Sequence, residues 1–261
     1  MALTKVSGGL LGNLSVGTGN VALGNQALDS VTSGTNNTAI GNSALTAITS
    51  GTQNVAVGAL ALDAGTTNTN CVAVGYAALS ANTADNNTAV GAGAMEVNTT
   101  GASNVAIGVG TLDANTTGNY SVGVGFNSLT ANTTGSYHVG IGYQSLASVT
   151  TGIGCTAIGY YTLPVNTGSY NTAVGYACMQ GTTTGADNVA MGYNALGGNT
   201  TGNYNVAIGY NAMSTSSAGP QRNVGIGYAA LQSITNALYD SAVGICFKWS
   251  NNRTSKHSNG L

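Results

Sequence analysis

The chain has 261 residues, and only 5% of them are charged, against roughly a quarter in a typical globular protein, which excludes an ordinary hydrated globular surface. Apolar residues reach 43%, but Gly supplies 40 positions and Phe plus Trp only three, so the apolar content suits thin packed layers rather than one thick core. With a net charge of -2 and five Lys and Arg in all, four of them after position 221, the body has no basic face for phosphates, which argues against nucleic acid as a partner.

The polar positions are neutral Asn, Thr and Ser, and β-branched residues are frequent, so an ordered chain is expected rather than a disordered one. The opening stretch, "MALTKVSGGLLGNLSVG", has no apolar run of secretory length, and no later stretch is long enough to span a bilayer, so synthesis in a cytoplasm and no membrane insertion are expected. Residues 1–19 form a first segment suited to capping or to docking on another protein.

From residue 20 to residue 247 one phrase recurs. Its anchor is the glycine of "AIG" or "AVG": Gly24, Gly41, Gly58, Gly75, Gly91, Gly108, Gly125, Gly142, Gly159, Gly175, Gly192, Gly209, Gly227 and Gly244. Ten of the thirteen steps from anchor to anchor are equal, as from Gly24 to Gly41; two are one position shorter and one, from Gly209 to Gly227, is one longer. The residue before each anchor is aliphatic, the residue two before is Ala or Gly, and Leu or Met stands four after it in the first thirteen copies. Turn phrases such as "NTTG" separate the copies.

Alternation of β-branched with small residues, closed by Asn, Thr and Gly, predicts a strand, a bend, a shorter strand and a turn. Such a unit cannot bury a core alone and must stack on its copies. The fold class expected is all-β, a parallel β-solenoid (β-roll) of about fourteen 17-residue rungs. At a strand spacing of about 4.8 Å the rod would be on the order of 65 to 70 Å long.

Side-chain parity assigns the columns. In residues 206–210, Val206, Ile208 and Tyr210 point one way, Ala207 and Gly209 the other. If the segment after the bend keeps this parity, leucines such as Leu196 face the small-residue wall across a narrow interior; if the bend breaks it, the two columns exchange roles. The Val and Ile stripe faces outward, which predicts side-by-side association of chains.

At this point the phrases "NNTAIGNSAL" (36–45), "NNTAVGAGAM" (86–95), "NTAVGYACM" (171–179) and "NVAIGYNAM" (205–213) resemble the head repeats of trimeric autotransporter adhesins. They resemble the related repeats of phage and giant-virus tail fibres more closely. The resemblance covers about residues 13–247. It implies a left-handed parallel β-roll, a homotrimer around one axis, and no catalytic residues or cofactor. The signal peptide, coiled-coil stalk and membrane barrel of the bacterial adhesins have no counterpart here, and adhesin rungs are commonly shorter than the rungs of this chain, so the virion-fibre version fits better. The C-terminal chaperone that many such fibres carry has no counterpart either. The function so implied is that of a structural fibre on the exposed surface of a virus particle, partnered by other virion proteins and by a glycan or protein receptor on the host. A cell-surface adhesin or repetitive coat filament is the alternative, and a polysaccharide-acting enzyme a weaker one.

Candidate chemistry is sparse. Asp29, Asp63 and Asp113 share one register in non-adjacent rungs and read as solvated turn residues. His138 replaces the usual Asn ahead of "VGIG" with no Ser or Cys at triad spacing. Cys71, Cys155, Cys178 and Cys246 lie far apart, without CxxC or metal-ligand spacing, and read as small buried thiols. No metal or cofactor is expected. The Thr pairs of the turns are accounted for by bonding to nearby backbone.

Six successive anchors are followed by tyrosine: Tyr143, Tyr160, Tyr176, Tyr193, Tyr210 and Tyr228. The column reads first as mutual stacking or filling between chains, and second as a contact for glycan or partner. Residues 248–261 are the second cap or tail, and Trp249 with Arg253 is a candidate anchor for a receptor or neighbouring protein.

Overall fold

The structure, a computed structural model, describes residues 18–215, 219, 221–234 and 238–245. The chain divides into two compact units, residues 1–124 and 125–261. Most of the expected first segment and all of the 248–261 tail, with Trp249, Arg253 and Cys246, lie outside the described residues.

The first unit is a ladder of seven three-residue strands: β1 (Val21–Leu23), β2 (Thr38–Ile40), β3 (Val55–Val57), β4 (Val72–Val74), β5 (Thr88–Val90), β6 (Val105–Ile107) and β7 (Val122–Val124). Each pairs with the next in parallel and in strict register, Ala22 opposite Ala39 and Ala56 opposite Ala73. The second unit repeats this with β8 (Val139–Ile141), β9 (Thr156–Ile158), β10 (Thr172–Val174), β11 (Val189–Met191), β12 (Val206–Ile208), β13 (Val224–Ile226) and β14 (Ser241–Val243). Ala190 stands opposite Ala207, and Gly225 opposite Ala242. Both units are therefore parallel β-solenoids in which strand order follows chain order at the interval of the sequence repeat.

Parity is as the sequence predicts. Every strand buries its middle residue and leaves its outer two half-buried or exposed. Ala207 and Leu196 are fully buried, while Val206 and Ile208 face outward. Within each unit the residues four after the anchors, such as Leu28, Leu45, Leu62 and Leu79 in the first and Leu129, Leu146, Leu163 and Leu196 in the second, supply most of the largest buried side chains.

Two expectations need correction. The arm after the bend is a run of turns, because the residues two and four after the anchor adopt left-handed backbone, as at Gln144 (φ 49°) and Leu146 (φ 53°). That geometry is incompatible with a strand and costs about 1–2 kcal/mol for a non-glycine residue. Burying a leucine offsets it by about 1.5–3 kcal/mol. The arm still bonds rung to rung, as in Leu45 N–H to the Ala61 carbonyl (3.0 Å).

The anchor glycine, expected on the interior wall beside alanine, instead sits half-buried at the bend. Gly209 has φ 133°, a conformation that side chains rarely adopt, and a Cβ there would collide with the carbonyl oxygen of Gly227 on the next rung. The glycine is fixed by backbone stacking rather than by lack of interior room.

Candidate functional surface

The interior contains a polar column that the sequence reading assigned to turns. Four residues before most anchors stands an asparagine, its side chain fully buried at Asn37, Asn54, Asn87, Asn104, Asn171, Asn188, Asn205 and Asn223. Asn37 Oδ1 accepts the backbone N–H of Asn54 (3.0 Å), and Asn37 Nδ2 donates to the Gly51 carbonyl (2.8 Å). Asn188, Asn205 and Asn223 hand on the same bond, to Asp240 N–H at the top (3.0, 3.1 and 2.8 Å). The signal was available, since an Asn precedes "VAIG" or "TAVG" in most copies, but turn chemistry explained it first.

The exceptions obey the same logic. Cys71 and Cys155 replace the asparagine in the two rungs followed by a shortened step, Gly75 to Gly91 and Gly159 to Gly175. Each thiol donates to the carbonyl that the amide would have reached, Ala84 for Cys71 and Gly168 for Cys155 (both 3.3 Å). A turn shortened by one residue is matched by a shorter side chain. These thiols and Cys178 are buried and unpaired; burial pushes all three up, Cys178 to about 12, which keeps them protonated and unreactive.

His138 also takes the asparagine's place. Its Nδ1 accepts the Cys155 N–H (3.2 Å) and its Nε2 bonds the Gly152 carbonyl (2.8 Å), so the ring is neutral with its proton on Nε2. Burial holds its pKa below the ordinary value. Cys155 is thus a neighbour in space, but its thiol is turned to Gly168, and the pair makes no nucleophile and base.

Outside, the strand face is apolar. Residues three and one before the anchor present Val or Thr, with Ser241 in the last copy, and then Val, Ile, Leu or Met, among them Ile107, Ile141, Ile158 and Met191 as exposed side chains. The four outward positions of each rung, five, three and one before the anchor and one after it, include no charged residue in the first unit and only Asp187 and Arg222 in the second. Carboxylates lie elsewhere: Asp29, Asp63, Glu96 and Asp113 all stand five after their anchors. Glu96 shares the register noticed for the aspartates and falls one rung from Asp113, so two carboxylates do occupy adjacent rungs. Partial burial raises the pKa of Asp63.

The tyrosine column is a continuous stack. Tyr143, Tyr160, Tyr176, Tyr193, Tyr210 and Tyr228 lie with ring centroids 5.0–5.3 Å apart and planes within 3–11°. Phe126, missed because only tyrosines were counted, extends it at 5.7 Å. Ring faces are turned to each other, so ring edges and hydroxyls meet solvent, and each tyrosine is 40–55% exposed.

A second aromatic column was also missed. In the second unit Tyr137, Tyr170, Tyr204 and Tyr239 stand five before their anchors on alternate rungs, in left-handed backbone, and Tyr120 of the first unit stands in the same register. Gly154 lies beneath the Tyr170 ring, and the Arg222 guanidinium lies between Tyr204 and Tyr239, 5.2 and 5.7 Å from their centroids. Together the two columns flank the apolar strand face of the second unit.

On the turn side, threonine hydroxyls donate to the threonine carbonyl of the next rung, as from Thr49 to Thr66 (3.0 Å) and Thr99 to Thr116 (2.9 Å). They serve the ladder. Among the described residues no three His, Cys, Asp or Glu side chains converge on a metal site, and no helix is long and apolar enough to cross a membrane. No family model matches the chain, and neither a curated protein nor a solved structure is significantly similar to it.

Proposed function

We propose that the chain is a structural fibre protein of a virus particle, a rigid homotrimeric rod of left-handed β-roll displayed outside the virion and used in attachment to a host. The observation that carries this reading is the outward strand face, apolar along both ladders and almost free of charge, beside an interior too thin to hold anything but its own packing. A face of this kind is satisfied by other copies of the same chain, and closed symmetry around one axis covers it on every copy. Repeat phrases that resemble those of phage and giant-virus fibres add the setting.

Val206 and Ile208 and their equivalents are the residues proposed to meet other chains, while Leu196, Ala207 and Gly209 hold each rung on the next. Other virion proteins would bind the ends, with Trp249 and Arg253 as candidate contacts. A host glycan or protein receptor would be met by the neutral aromatic and amide surface, with no catalysis, cofactor, nucleic acid or membrane insertion. Ring edges and hydroxyls of the tyrosine stack, rather than ring faces, would make the receptor contacts.

The test is antibody labelling of purified particles by electron microscopy. Label on projecting fibres is expected, together with competition by the purified protein for attachment of particles to cells. Label absent from particles, or confined to the host envelope, would replace this reading by the surface-adhesin one.

A further inference from the structure

The stack from Tyr143 to Tyr228 holds six phenols in one line, each neighbour 5.0–5.3 Å away and nearly parallel, each partly open to solvent. Stacking on this spacing is more than packing requires, since Phe126 fills the same place without a hydroxyl. What the hydroxyl adds is one-electron chemistry. The geometry points to an oxidative modification site: under a one-electron oxidant, adjacent rungs of this column couple as dityrosine and staple the ladder covalently.

Each of two neighbouring tyrosines gives up one electron and its phenolic proton, leaving two phenoxyl radicals. A bond forms between the ring carbons ortho to the two oxygens. Each of those carbons then loses its hydrogen as its oxygen regains one, which restores both phenols. The pair as a whole loses two electrons and two protons, which reduce one hydrogen peroxide, used through a haem peroxidase, to two waters. A radical formed anywhere in the stack always has a phenol on the next rung, and the parallel ladder holds that neighbour in place. In the second column Gly154, Asp187 and Arg222 separate Tyr137, Tyr170, Tyr204 and Tyr239, and Tyr120 and Tyr137 are its one pair of tyrosines on consecutive rungs among the described residues. The three described cysteines, Cys71, Cys155 and Cys178, do not compete, being buried and protonated. This inference stands on the stack alone and does not depend on the fibre reading.

The experiment treats the dilute, folded, full-length protein with peroxidase and limiting hydrogen peroxide, then maps cross-linked peptides by mass spectrometry. The expected products join Tyr143 to Tyr160, Tyr160 to Tyr176, Tyr176 to Tyr193, Tyr193 to Tyr210 and Tyr210 to Tyr228. A mixture of isotopically heavy and light chains should give no hybrid cross-links. The variant Tyr160→Phe, Tyr161→Phe, Tyr193→Phe and Tyr228→Phe keeps the rings, removes the phenol tilted beside the stack at 6.3 Å from Tyr160 and leaves no two phenols on adjacent rungs of this column, so it should lose most of the dityrosine fluorescence. Urea-unfolded native chain should lose the neighbour pattern as well, so the peptide map decides even if the variant folds poorly. The inference is overturned if cross-links among Tyr137, Tyr170, Tyr204 and Tyr239 are as frequent as those along the stack, if hybrids predominate, or if the folded variant forms as much dityrosine as the native chain.

Discussion

Asn37 Oδ1 accepts the backbone N–H of Asn54 at 3.0 Å, and Asn54 Oδ1 accepts that of Cys71 at 2.9 Å, so one buried side chain satisfies the backbone of the next rung. The outward strand residues pair with strands above and below, but the corner before the strand has no strand partner. The asparagine column supplies it. Replacing Asn37 by Ala strands the Asn54 N–H and removes the donor to the Gly51 carbonyl, both buried. At about 1–3 kcal/mol per orphaned group, Asn37→Ala should lower unfolding stability by several kcal/mol, measured by denaturant titration. An unchanged midpoint would mean that water reaches the column.

Ala207 tests the thinness of the interior. A Cβ on its equivalents Gly140 and Gly225 would already come within 2.7 Å of Ser128 Oγ and 2.9 Å of Met213 Cγ, so nothing larger than alanine fits in this layer. Ala207→Leu should exceed the usual overpacking cost of about 1–3 kcal/mol and prevent cooperative folding of its rungs. Thermal melting followed by circular dichroism checks it, and a native-like transition would count against the assigned interior.

His138 makes the second unit sensitive to acid. Burial lowers its folded pKa below 6.5, and protonating Nδ1 would set an N–H against the Cys155 N–H. The unfolded chain therefore binds the proton first, and the histidine's contribution is fully present above pH 6.5 and falls as pH drops below it toward the folded value. Melting temperature should decline between pH 7 and pH 5, and His138→Asn, which restores the usual amide, should remove most of that decline. An equal decline in the variant would assign it to other groups.

Tyr176 stacks on Tyr160 below and Tyr193 above, at 5.2 and 5.3 Å. Each aromatic pair contributes about 0.5–1.5 kcal/mol beyond burial, so Tyr176→Ala should cost about 1–3 kcal/mol, and Tyr176→Phe much less. Denaturant titration of both variants separates ring stacking from hydroxyl contacts.

Much of this architecture was readable from the sequence because every rung repeats the same constraint. "NVAIG" states the strand, and the constant Ala or Gly two before the anchor states which face is inside. What was missed depends on relations between rungs. Asn37 looks like a turn residue until its partner on the next rung, Asn54, is known, and Leu146 looks like a strand residue until its left-handed backbone is seen. Cys71 and Cys155 could have been linked to the two shortened steps from spacing alone, as could Phe126 to the tyrosine stack and Glu96 to the aspartate register. The proposed surface function is less legible, since a neutral surface of ring edges, hydroxyls and amides carries no fixed motif.

The outward Val and Ile columns are the centre of the account, and the mass of the native protein in solution tests them most directly. Light scattering coupled to size-exclusion chromatography should give three times the 25.6 kDa chain mass, with Ile208→Asp together with Ile158→Asp shifting it downward. A stable, folded monomer of the unmodified chain at micromolar concentration would contradict it.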